Sequence, residues 1–168
     1  MTERLADEMT VLRSALDGAR QHILGIVDDL DDERLRTATL PSGWTPLELL
    51  RHLTLGDERY WFASIIGGDD LDWVQPGPRA DWRVPDDMTP SSVIDAYRDQ
   101  IAVSDRVLDG VEAADPPRRR DPIWDTWGVD FESVRVVVVH MIVETATHAG
   151  HLDAAVELAD GRQTLVMD

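Results

Sequence analysis

The run His140-Met-Ile-Val-Glu144-Thr-Ala-Thr-His148-Ala-Gly-His151 places four metal-competent side chains at offsets of four, four and three. At ~100° per residue those offsets put all four within roughly an 80° arc of one helix face. The flanking sequence is strongly apolar, so that face belongs to a core. A buried carboxylate without a partner costs several kcal/mol, and a metal ion would provide the partner that Glu144 needs.

The elements that must hold such a site are helical. Leu5, Met9, Leu12, Leu16, Ala19, Ile23, Ile26 and Leu30 alternate steps of four and three, which predicts a first helix from about Thr2 to Leu30. Thr45-Pro46-Leu47-Glu48 carries a cap, a first-turn proline and a capping-box glutamate, and opens a second helix that runs to Gly67-Gly68. Thr89-Pro90 opens a third by the same logic, with Ile94, Tyr97, Ile101, Leu108 and Val111 on its apolar face. The fourth runs from about Phe131 to Ala159 and stops at Gly161. Val136 to Val139 could pass for a buried strand, but the helical periodicity continues for more than twenty residues beyond it. Long connections over 31–44, 67–88 and 112–130 permit a crossover along a bundle. Trp73, Trp82, Trp124 and Trp127 fall in them, where ordinary packing is the commoner role and lining a pocket the alternative.

The second helix supplies a partner for the fourth. Leu49, His52, Gly56, Tyr60 and Ala63 form one stripe with a single histidine, and Gly56, unfavourable in a helix by about 1 kcal/mol against Ala, implies that room is needed there. His52 with Glu144 and His148 at i, i+4 makes a three-ligand site in a bundle core, and three protein ligands leave a coordination position open for catalysis. Two imidazoles and a carboxylate suit zinc and also accept nickel or ferrous iron. His140 and His151 lie a turn to either side, where each can orient a ligand, move protons or take a ligand position itself. A solitary core histidine is more often a packing residue, which is the reading for His22 and, standing alone, for His140. The spacing is not that of a His-Glu-x-x-His protease.

Composition sets the remaining bounds. The 168 residues read as one domain spanning 1–168, carrying a formal charge of −17 from 33 acidic and 16 basic side chains, with no cysteine. That charge argues against nucleic-acid phosphate or anionic lipid as a partner. Arg118-Arg119-Arg120 is the one basic run, and a solvated segment is its commoner role. Without cysteine, disulfides and an internal thiol nucleophile are excluded, so any sulfur chemistry brings its sulfur in on a ligand. The first residues do not read as a secretory signal and no apolar stretch reaches membrane-spanning length, so a cytoplasmic protein is expected.

The chain resembles the DinB/YfiT-like superfamily. The likeness rests on the first helix, Pro41-Ser-Gly-Trp-Thr-Pro-Leu-Glu-Leu-Leu-Arg-His52-Leu, Glu58-Arg-Tyr-Trp-Phe62, and Glu144-Thr-Ala-Thr-His148-Ala-Gly-His151. It implies an all-α four-helix bundle in up-down-down-up order, with a long crossover between helices two and three and a metal near one end of the core. The family's usual ligands are three histidines. Glu144 in the middle position looks like the mycothiol-dependent maleylpyruvate isomerase branch, and by that match His52, Glu144 and His148 are the ligands. The implied activity is a thiol S-transferase or isomerase using a low-molecular-weight thiol such as mycothiol on a small electrophile. His151 is then a catalytic candidate, and Arg59 or the Arg118 to Arg120 run is available for an acidic group on the substrate. The alternatives are a metal-dependent hydrolase on the same site and a non-catalytic, stress-related metal-binding bundle. A homodimer is compatible with exposed helical faces.

Overall fold

The computed structural model describes residues 7–71, 73 and 77–163. All of its regular structure is helical. Helix α1 is Glu8–Asp28, capped by Asp7, whose carboxylate accepts from Thr10 N; the expected turn over 2–6 lies outside the described residues. A single-turn α2, Asp32–Leu35, follows. Helix α3, Pro46–His52, starts on the anticipated capping box, with Thr45 and Glu48 satisfying each other's backbone N–H groups. Helix α4 is Pro90–Leu108 with Thr89 as its cap, α5 is Ile123–Trp127, and α6 is Val134–Asp160, stopped by Gly161 at φ 77°.

The second helix departs from the expected pattern. After His52 the chain continues as a π-helix over Leu53–Ile66, its i→i−5 bonding visible where Gly67 N donates to Phe62 O at 2.8 Å. The short helices α2 and α5, and a 3₁₀ turn at Ala80–Trp82, were also not expected from periodicity. Each is too short to show a repeat.

Ion pairs fix the directions. Arg135 bonds Glu8 at one end of α1, and His22 meets Asp153 at 2.7 Å towards the other, so α6 runs parallel to α1. Arg13–Asp109, Arg20–Asp105 and Arg98–Asp28 join α1 to α4 in reverse order. Trp61 meets His140 while His52 meets His148, which makes α6 antiparallel to α3 and its π continuation. The order is therefore up-down-down-up, and the segment between Ile66 and Pro90 is the crossover that returns the chain to the starting end of α3.

Two apolar clusters fill the bundle. One gathers Ile23, Val27, Leu47, Leu50, Tyr97 and Leu152, and the other gathers Leu16, Phe62, Ile65, Trp124, Val137 and Met141. Between them lies a layer of buried polar side chains: Arg20, Asp57, Glu58, Ser104 and Thr145. Arg20 grips Glu58 through Nε at 2.8 Å and Nη2 at 2.7 Å, with both side chains only 1% exposed. Burial opposes the Arg20 charge, but Glu58 and Asp105 beside it raise its pKa and keep it a cation.

Candidate metal centre and cavity

The candidate site opens from that polar layer, at mid-length of the bundle and not at one end as the resemblance implied. His52 closes α3, His148 stands in the middle of α6, and their rings meet edge to face at 5.0 Å. Donor atoms of His52, Asp57 and His148 all lie within 4.8 Å of one another. His52 Nε2 is 3.9 Å from Asp57 Oδ1, and His148 Nε2 is 3.9 Å from Glu144 Oε2. Thus each imidazole faces a carboxylate.

The π-helix explains why Asp57 is present. At ~100° per residue, five positions rotate a side chain ~140° away from its starting face. One wider turn instead brings position i+5 back above position i. Asp57 therefore stacks above His52, a placement that an α-helical reading of the sequence cannot anticipate.

His52 is fixed from its other side. Its Nδ1 lies 2.5 Å from Asp81 Oδ2, and Trp82 stacks on the ring at 4.5 Å and 12°. With Nδ1–H donated to a carboxylate, Nε2 is left as the lone-pair donor aimed at Asp57. Gly56 makes this possible: a Cβ there would stand 2.7 Å from Asp81 Oδ2 and 2.8 Å from His52 Nδ1. The room that Gly56 implied is the room for this contact.

The electrostatics suit a cation. Burial, helped by the charges of His52 and His151, pushes the His148 pKa down to about 4, so its ring is neutral at neutral pH. Burial disfavours charge on His52 also, but the Asp81 hydrogen bond and the Asp57, Asp81 and Glu144 charges outweigh it and raise its pKa. Burial, with the nearby Glu58 and Glu144 charges, pushes Asp57 up to about 7. Asp57 Oδ2 and His148 Nδ1 are buried without a hydrogen-bond partner among the described residues. A compact set of neutral imidazole, oriented imidazole and under-satisfied carboxylate fits a divalent metal such as zinc.

A cavity of about 430 Å³ extends from these groups, bounded by His52, Asp57, Asp81, His140 and Glu144 and walled by aromatic rings. Tyr60, Trp61, Trp73 and Trp127 line it. Trp73 and Trp127 are thus pocket residues, whereas Trp124 is a core residue and Trp82 the platform for His52. His140 packs on Trp61 at 4.7 Å and its pKa is lowered by burial. His22 lies away from the site, paired with Asp153.

The remaining candidates are placed less centrally. His151 is exposed, its ring 5.9 Å from that of His148, and it does not line the cavity. Arg59 stands over Trp73 at 4.3 Å and is not itself among the cavity-lining residues. The Arg118 to Arg120 run staples loops, with Arg119 on Asp70 at 2.8 Å and Arg120 on Asp125 at 2.6 Å.

A family model described as Mycothiol-S-transferase matches residues 11–161, which include every residue of the site. No curated protein and no solved structure matches the chain.

Proposed function

We propose that this chain, which belongs to the mycothiol S-transferase family, is a metal-dependent S-transferase that joins a low-molecular-weight thiol to a small electrophile. The observation that carries this reading is the cluster of His52, Asp57 and His148 donor atoms, two of whose residues line a cavity large enough for a drug-sized ligand. We assign His52, Glu144 and His148 as the metal ligands and Asp57 as the adjoining carboxylate. Asp81 and Trp82 hold the His52 ring in the orientation that presents Nε2, and burial keeps His148 neutral. A divalent metal held by these residues would supply the Lewis acidity that lowers the pKa of an incoming thiol.

Asp57 has one oxygen near His52 and another without a partner, so it is placed to accept the thiol proton. The sulfur then forms a bond to the electrophilic carbon, and the leaving group departs with the electron pair of the bond it loses. His140, Trp61, Trp73 and Trp127 present rings along the cavity wall against which a flat electrophile can be positioned. The chain's lack of cysteine accords with a nucleophile delivered by a cosubstrate.

Elemental analysis of untagged protein tests the assignment. We expect about one divalent metal per chain, lost in Glu144→Ala and His148→Ala and retained in Asp57→Asn. Metal retained in Glu144→Ala and lost in Asp57→Asn would exchange the roles of the two carboxylates. Turnover of an electrophile should require added thiol. Thiol-independent hydrolysis would point to water as the nucleophile, and metal-free protein of unchanged stability would point to a non-catalytic bundle.

A further inference from the structure

The cavity has a pronounced chemical bias. Its walls supply Tyr60, Trp61, Trp73 and Trp127, and its ionisable lining consists of His52, His140, Asp57, Asp81 and Glu144. No arginine is among the described lining residues, and the chain contains no lysine. The Arg59 guanidinium stands over Trp73 at 4.3 Å and that of Arg79 over Trp82 at 5.4 Å, and neither arginine is among the lining residues. The Tyr60 hydroxyl donates to Asp121 at 2.8 Å and accepts from Trp124 Nε1 at 3.3 Å, so its polar end is satisfied outside the cavity. Trp127, which also lines the cavity, is 58% exposed.

We propose that this cavity admits planar aromatic electrophiles that are uncharged or cationic, and rejects those bearing a carboxylate or sulfonate. The inference rests on the transferase reading for its chemistry and on the cavity lining for its selectivity. Aromatic walls favour a flat ring by offset stacking and attract a cationic substituent through their π faces. Asp57, Asp81 and Glu144 give the lining an acidic bias, Asp57 least because burial favours its protonated form, and no arginine among the described lining residues pairs with an anionic group. An anion entering beside these carboxylates meets like charge with no arginine on the described lining to offset it. Arg59 and Arg118 to Arg120 are not among the residues that line the space.

Nucleophilic aromatic substitution gives a matched pair of probes. With 1-chloro-2,4-dinitrobenzene, the thiol sulfur bonds to the ring carbon bearing chlorine, chloride leaves with the C–Cl electron pair, and the thiol proton passes to Asp57 and then to solvent. The probe 4-chloro-3,5-dinitrobenzoate undergoes the same step with a carboxylate added. Using the metal-loaded protein and mycothiol, kcat/KM divided by the uncatalysed rate should be at least tenfold lower for the benzoate. Binding of unreactive 2,4-dinitroaniline and 4-amino-3,5-dinitrobenzoate, followed by equilibrium dialysis, should show the same order without any turnover. Leu55→Arg, which adds a cation to the lining, should narrow the difference.

Equal or tighter binding of the anionic analogue, or no binding of either, overturns the inference. Selective binding of the neutral analogue with no thiol-dependent turnover leaves the selectivity standing and overturns the transferase reading. Thiol-dependent turnover of both probes at equal normalised rates does the reverse.

Discussion

The His52 ring is held between two neighbours, Asp81 at its Nδ1 and Trp82 stacked on its face, and the candidate centre depends on that hold. His52, Glu144 and His148 break the hydrophobic pattern of two helices that had to share a core, and the structure sets both histidines ring to ring. Asp81 and Trp82 were not legible in the sequence, because they arrive from a connection that has no periodicity. Their role predicts a specific loss: Asp81→Ala should weaken metal binding about 10–100-fold, as removal of an orienting partner generally does, while circular dichroism stays unchanged. Metal affinity should also fall as the pH drops through the raised pKa of His52, because the proton and the metal compete for one nitrogen. Asp57 gives a stability signature in metal-free protein. Its folded pKa of about 7 against 3.8 means that the folded state holds the extra proton in that window, so its contribution to stability falls as pH rises through it. Asp57→Asn keeps the neutral form. Its thermal midpoint should therefore gain on the parent's from pH 3.8 to about 7 and then run parallel to it. A constant difference across that range would sink the assignment of a buried, neutral-favouring carboxyl.

At the scale of elements, the caps were the most reliable signals. Thr45, Thr89 and Gly161 sit where the sequence placed them, because each satisfies a backbone group that a helix end leaves open. The π segment was hidden, since hydrophobic residues at Leu53, Phe62 and Ile65 fit either pitch well enough over one or two turns. What distinguishes the pitches is the polar face, where the wider turn aligns His52 with Asp57. Gly56 lies inside this segment and offers a clean probe. Gly56→Ala places a methyl within 2.9 Å of Asp81 Oδ2 and of two His52 atoms, so the His52 and Asp81 side chains must separate. Alanine is otherwise the better helix former by about 1 kcal/mol. The expected outcome is a variant that folds as well as the parent yet binds metal at least tenfold more weakly, read by competition with a chromogenic chelator. Unaltered affinity would mean that the imidazole needs no fixed orientation.

Across the whole molecule, the bundle order and its crossover could be anticipated, but the polar layer between the two apolar clusters could not. Arg20 lies in a sequence where it looks like one more surface arginine on an amphipathic helix, paired locally with Asp17, and only the fold sets it against Glu58 and Asp105. Removing one partner from so buried a pair leaves an uncompensated charge, which generally costs about 3–5 kcal/mol. Glu58→Ala should therefore lower the urea midpoint by that equivalent, and Arg20→Met with Glu58→Leu should recover part of it. A loss below about 1 kcal/mol in the single variant would show that water reaches Arg20.

The side-by-side, parallel course of α1 and α6 has a consequence for how the chain is made. Helix α1 is synthesised before its main partner α6, from which more than a hundred residues separate it, as the pairing of Glu8 with Arg135 records. Contacts so distant in sequence slow folding, because a long loop must close before they form. Until synthesis reaches α6, the apolar stripe of α1 is without its final cover and open to chaperones and to other nascent chains. A chain truncated before Val134 should accordingly bind hydrophobic dyes and aggregate.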